Sequence, residues 1–171
     1  LYLRVSGITK LRKARTPFCP EGSLPHADNE VRGEMAGNAC KVVMKALWLA
    51  RLSRPDSFKA IGDLASHVSD WTRNDDKRLR RLMEYLNTTS HYKLGGKVND
   101  PAHLLKLLLF VDSDFAGSEH IDMKSTSGGW LVLAGPNTWF PLMWLCKRQP
   151  RTARSSTEAE TVSLAASLFT E

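Results

Sequence analysis

The run Leu104-Leu105-Lys106-Leu107-Leu108-Leu109-Phe110-Val111-Asp112-Ser113-Asp114 is apolar at nearly every position until it stops at two acids. Apolar residues on both alternate faces predict a central strand, Leu104 to Asp112, covered from both sides. Downstream, Lys147-Arg148-Gln149-Pro150 makes a turn that leads to Ser155-Ser156-Thr157-Glu158-Ala159-Glu160, where Ser155 opens a helix. A carboxylate at the end of a buried strand and another in the first turns of a later helix can converge on one point. Hard oxygen ligands delivered from separate elements, with water completing the shell, are what Mg²⁺ accepts. The two stretches outline a divalent-cation site.

Outward from them, the chain reads as two halves of a mixed α/β (α+β) fold. In the second half, Gly117 to Thr126 turns the chain, Gly129 to Ala134 supplies a second strand, and Gly135-Pro136-Asn137-Thr138 turns it again. Leu142 to Lys147 is a third strand, with Pro141 near its start where proline is tolerated. Strand, hairpin, strand, helix is a three-stranded antiparallel sheet plus one helix. The first half is helical. Met35, Ala39, Val42, Val43, Ala46, Leu47 and Ala50 recur at helical spacing from Met35 to Leu52, where Pro55 stops the pattern. Phe58 to Val68 continues as a second helix, and Asp75 to Leu86 as a third that opens on acids and buries Leu79, Leu82, Met83 and Leu86. Gly95-Gly96 and Asn99-Asp100-Pro101 mark the boundary, giving a helical segment over 1–100 and a sheet-containing one over 101–171.

A hydrophobic content of 42% is enough to build a core. The first residues lack the apolar stretch of a signal peptide, and Leu104 to Val111 is far too short to span a membrane, so the expectation is a soluble intracellular chain without a membrane partner. Cys19, Cys40 and Cys146 are too far apart in sequence to act as paired zinc ligands, and reduced thiols are expected. Charge is uneven. Residues 1–20 carry Arg4, Lys10, Arg12, Lys13 and Arg15 against no acid, so most of the net +6 sits there. Such an arm can neutralise phosphates, and a solvated linker reads the same way. Lys77, Arg78, Arg80 and Arg81 on the third helix are open to the same two readings.

Phe110-Val111-Asp112-Ser113-Asp114-Phe115-Ala116-Gly117, Lys124-Ser125-Thr126-Ser127-Gly128, Lys147-Arg148-Gln149-Pro150 and Ser155-Ser156-Thr157-Glu158-Ala159-Glu160 resemble, in order and near spacing, the ribonuclease H region of copia-type retrotransposon Pol polyproteins. Upstream, Arg15-Thr16-Pro17, Arg54-Pro55-Asp56 and Arg78-Leu79-Arg80-Arg81-Leu82-Met83-Glu84-Tyr85-Leu86-Asn87-Thr88-Thr89 are similar, more loosely, to the segment after the reverse-transcriptase catalytic core. The resemblance implies a partial RNase H-like fold for residues 101–171 and, for the parent, Mg²⁺-dependent hydrolysis of RNA in RNA:DNA hybrids. It implies as partners a hybrid or other nucleic acid and the remainder of the Pol polyprotein.

The family pattern selects Asp112 and Glu160 as catalytic metal ligands. Read from the residues alone, Asp112 and Asp114 share a strand face, and Ser155-x-x-Glu158 and Thr157-x-x-Glu160 both fit capping boxes, so either glutamate can close a helix end. Periodicity leaves that choice open, because the stripe Val162, Ala165, Ala166 and Phe169 lies nearer Glu158 while Leu164 and Leu168 extend toward Glu160. The resemblance places two further acidic ligands past Glu171, while Glu119 and Asp122 match no role. The expectation is weak Mg²⁺ binding, little hydrolysis by this chain alone, and a first strand whose uncovered edge promotes self-association. A non-catalytic nucleic-acid-binding remnant and a structural fragment are the alternatives. Asp75-Asp76 lacks the sequence context of a polymerase aspartate pair and reads as helix-terminal acids. Gly128-Gly129 lacks a Walker order and reads as a turn.

Overall fold

The computed structural model describes residues 1–115 and 123–169, so Ala116, Gly117, Glu119 and Asp122, with most of the expected turn, lie outside the described residues. The chain forms two compact units, Leu1–Lys93 and Leu94–Glu171. In the first, a short helix α1 (Tyr2–Ser6) precedes α2 (Ala36–Leu52), α3 (Phe58–Ser66) and α4 (Arg73–Thr88). The apolar positions at helical spacing on α2 become its buried side: Ala39, Val42, Val43, Ala46 and Ala50 share a core with Ala60, Ile61 and Leu64 of α3, Leu79 and Leu82 of α4, and Trp71. Ile61, Leu79 and Leu82 are fully buried, each stabilising the unit by about 1.5–3 kcal/mol.

The acids opening α4 fix both its own end and its neighbour. Thr72 Oγ1 accepts from the Asp75 N–H, and the Asp75 carboxylate accepts in return from the Thr72 N–H at 2.9 Å, a reciprocal capping box. Asp76 accepts from Trp71 Nε1 at 2.7 Å and from the Glu34 and Met35 N–H groups at 2.6 and 3.1 Å, closing the start of α2, which has no side-chain cap of its own. Arg54 is buried beneath the end of α4. Its guanidinium donates to both Asp56 oxygens at 2.9 and 2.8 Å and to the Thr89 carbonyl at 3.1 Å, while Tyr85 Oη donates to Asp56 at 2.6 Å. The Tyr85 and Tyr92 rings flank the cation at 5.5 and 5.6 Å.

The second unit is an antiparallel sheet of β1 (Lys106–Asp114), β2 (Thr126–Gly135) and β3 (Thr138–Arg148), in that spatial order, followed by α5 (Ser156–Leu168). The β2–β3 register shifts between Leu131 and Val132, where Val132 faces Pro141; a bulge accommodates a residue that cannot donate to the ladder. Residues ahead of the expected boundary at Pro101 belong with this sheet. Lys97 and Trp139 exchange backbone hydrogen bonds at 2.9 Å, and the Asp100 carboxylate accepts from the Asn137 N–H at 2.7 Å in the hairpin turn.

Two elements differ from the sequence expectation. β1 pairs among the described residues with β2 alone, as the expected uncovered edge has it, but Leu107, Leu108 and Phe110 are 64%, 38% and 50% exposed rather than covered on both faces. On α5 the buried side is Ala159, Ser163 and Ser167, whereas Val162, Leu164, Leu168 and Phe169 are exposed. Ser167 is buried where it meets a glycine. A Cβ on Gly129 would stand 2.5 Å from Ser167 Oγ, so the helix rests on bare backbone where larger side chains have no room.

Candidate functional site

Asp112 lies near the end of β1 and is exposed; Glu160 lies in the second turn of α5, half-buried. The structure brings them together over one backbone group. The Ser113 N–H, which points off the edge of the sheet, donates to Asp112 Oδ1 at 2.9 Å and to Glu160 Oε1 at 3.2 Å. Glu158 is elsewhere. Its N–H donates to Ser155 Oγ at 3.2 Å and its carboxylate accepts from the Arg154 N–H at 2.7 Å, so it closes the start of α5. Of the two glutamates that periodicity left open, Glu160 is the one beside Asp112. Asp114 is exposed at the end of β1.

The geometry of the pair is set by polar pins that sequence reasoning did not single out. Ser163 Oγ donates to the Asp112 carbonyl at 2.7 Å and also approaches the Gly128 carbonyl at 3.3 Å, tying α5 to the strand that bears Asp112. Gln149, buried in the turn after β3, donates from Nε2 to Ser127 Oγ at 3.1 Å and to the Ala159 carbonyl at 2.9 Å, next to Glu160. The signal for this contact was present as Gly128-Gly129 together with Ala159, Ser163 and Ser167 at four-residue spacing, a small face on a helix matched to a bare patch on a strand. A search for apolar stripes passes over it.

The donor types suit a hard divalent cation: carboxylate oxygens from two elements that accept from one backbone N–H. Among the described residues, no group of three or more His, Cys, Asp or Glu side chains stands together.

The candidate nucleic-acid contacts divide into two kinds. Every cation on α4 has a partner within the chain. Lys77 Nζ donates to Asp28 at 2.5 Å, Arg78 to Asp75 at 2.8 Å and Arg80 to Glu84 at 3.2 Å, while Arg81 Nε donates to the Thr16 and Phe18 carbonyls at 3.0 and 3.1 Å. The Lys77 hydrogen bond holds the Asp28 carboxyl below the usual range. Burial opposes ionisation of Asp75, but hydrogen bonds from His67, Thr72 and Arg78 outweigh it and hold that carboxyl well below the usual range. The basic arm is laid along α4: the Arg12 N–H donates to Glu84 Oε1 at 3.3 Å, the Ala14 N–H to Thr88 Oγ1 at 3.0 Å, and Ala14 is buried. Arg12, Lys13 and Arg15 are exposed beside it. No disulfide joins Cys19, Cys40 and Cys146, and no helix among the described residues is long and apolar enough to cross a membrane.

No family model and no solved structure matches the chain. Curated relatives do. It is 32% identical over 123 residues to an uncharacterized mitochondrial protein, AtMg00810, of Arabidopsis thaliana, a match covering 72% of this chain and 48% of that protein. It is 33% identical over 118 residues to the secreted RxLR effector protein 161 of Plasmopara viticola, covering 69% and 78%. To the retrovirus-related Pol polyprotein from transposon RE1 of Arabidopsis thaliana it is 31% identical over 123 residues, covering 72% of this chain and 8% of the polyprotein. The chain thus spans about half the length of the first relative and a small part of the third. With these relatives and the blocks around Asp112 and Glu160, the chain belongs to the copia-type retrotransposon Pol polyproteins and corresponds to one segment of them.

Proposed function

We propose that this chain contributes the first carboxylates of a ribonuclease H-like site, whose parent activity is metal-dependent hydrolysis of RNA in RNA:DNA hybrids within the Pol polyprotein. The observation that carries the reading is the convergence of Asp112 and Glu160 on the Ser113 N–H, at the positions that the family pattern selects. Asp112 and Glu160 would hold Mg²⁺, which, when bound, supplies charge neutralisation at phosphate and a more acidic bound water. The chain's own residues hold the carboxylates: Ser113 fixes an oxygen of each, Ser163 fastens the strand, and Gln149 fastens the helix. Arg12, Lys13 and Arg15 face solvent and supply positive charge for the phosphates of a nucleic-acid partner. The remainder of the polyprotein is the other partner.

A non-catalytic nucleic-acid-binding role is the second reading, favoured by the absence of a third ligating side chain beside the pair among the described residues. A labelled RNA:DNA hybrid separates the two. With two carboxylates, the chain is expected to bind the hybrid with an affinity that falls with salt, and to cut it near the background rate. Replacing Arg12, Lys13 and Arg15 together should flatten the salt slope, because their side chains are exposed and form no ion pair among the described residues, unlike Lys77, Arg78 and Arg80. Robust Mg²⁺-dependent cleavage abolished by Asp112→Asn would establish a complete site, whereas an unchanged slope in the triple variant would remove the arm from the interface.

A further inference from the structure

We propose that Ser163 is the positioning residue that sets Glu160 against Asp112, a role that rests on the cation-site reading of that pair. Ser163 is fully buried. Its hydroxyl donates to the Asp112 carbonyl at 2.7 Å and approaches the Gly128 carbonyl at 3.3 Å, and those two residues face each other in register across β1 and β2. Ser163 therefore binds α5 to the rung of the ladder that carries one candidate ligand. Three residues earlier on the same helix, Glu160 projects the other. Residues three apart lie on one side of a helix, about 4.5 Å apart along its axis, so a single hydroxyl couples the two ligand carriers.

The rest of the α5 contact leaves this bond to decide the geometry. The helix meets the sheet through Ala159, Ser163 and Ser167, while Val162, Leu164 and Leu168 are exposed, so the contact lacks the interdigitation of large side chains that resists rolling. Gln149 holds the Ala159 carbonyl, but one hydrogen bond does not oppose rotation about the helix axis. An atom at the rim of a helix stands about 6 Å from the axis, so a roll of about 5° carries it roughly 0.5 Å. Glu160 Oε1 is already 3.2 Å from the Ser113 nitrogen, and about half an ångström more would break that bond. Ser167 supplies the comparison. It lies one turn further along the same buried side, against Gly129, and its hydroxyl has no hydrogen-bond partner among the described residues. Ser167 fills space; Ser163 fixes position.

Ser163→Ala and Ser167→Ala remove the same atom from the same side of the helix, and the difference between them reads the hydrogen bond. In the whole chain, hydrogen exchange of the Ser113 amide should quicken about tenfold in Ser163→Ala and keep the wild-type rate in Ser167→Ala. The Mn²⁺ dissociation constant should rise about tenfold in Ser163→Ala alone. Circular dichroism checks that each variant is folded; if Ser163→Ala is not, Ser163→Cys, which keeps the bulk and is a weak donor, carries the test. Equal Ser113 exchange in the two alanine variants, or wild-type Mn²⁺ affinity in Ser163→Ala, overturns the proposal. A wild-type chain that binds no Mn²⁺ while Ser163→Ala alone loosens the Ser113 amide supports the positioning of Glu160 and removes the cation-site reading instead.

Discussion

At the residue scale, one buried amide carries more of the site than its exposed neighbours. Gln149 Nε2 satisfies both Ser127 Oγ and the Ala159 carbonyl from inside the unit. Gln149→Leu keeps the bulk but leaves those acceptors without their donor, a loss of about 1–3 kcal/mol. Chemical denaturation of the whole chain, followed through NMR signals of α5, should show that fall; an unchanged midpoint would mean water replaces the amide. The sequence made Gln149 visible only as part of a turn, because its partners lie on β2 and α5 and no local pattern announces a side chain that spans them. The choice between Glu158 and Glu160 was hidden for a related reason. Both fit a cap at the start of α5, and only the position of β1 separates the one at the helix end from the one beside Asp112.

At the element scale, the helical periodicities of α2 and α4 were legible because each apolar face is buried in a local bundle. What α4 does with its charges was not. Lys77 and Arg81 are held by Asp28, Thr16 and Phe18, groups far upstream in sequence. The buried side of α5 was misread as an apolar stripe, since the close approach of Ser167 to Gly129 leaves room only for a small residue there. The start of α4 also sets an acid limit on the helical unit. Asp75 has a folded-state pKa below its unfolded value, so its contribution to stability is present above about pH 4 and is lost as pH falls toward the folded value. Asp75→Asn should cost about 2–4 kcal/mol at pH 7 and make the remaining stability less sensitive to acid below pH 4. Denaturant midpoints at pH 7 and pH 3, read from the Leu79 and Leu82 methyl signals, check this; equal acid sensitivity in the two proteins would assign it to other carboxylates.

At the scale of the whole molecule, the chain is a helical unit and a sheet unit whose open features lie in the second. The sequence order of strand, hairpin, strand and helix appears in the structure as β1, β2, β3 and α5. The exposed flank of β1 was read from the sequence as a covered strand, because an apolar run reports a tendency to be buried and not whether a partner is there. That strand carries Ser113, whose N–H both carboxylates accept from. The claim that Asp112 and Glu160 form one cation site is tested most directly by titrating the whole chain with Mn²⁺ and following paramagnetic broadening of its backbone amide signals. Broadening should centre on Asp112, Ser113 and Glu160, vanish in Asp112→Asn and in Glu160→Gln, and persist in Glu158→Gln. Broadening that centres elsewhere, or that survives both ligand substitutions, would contradict the account.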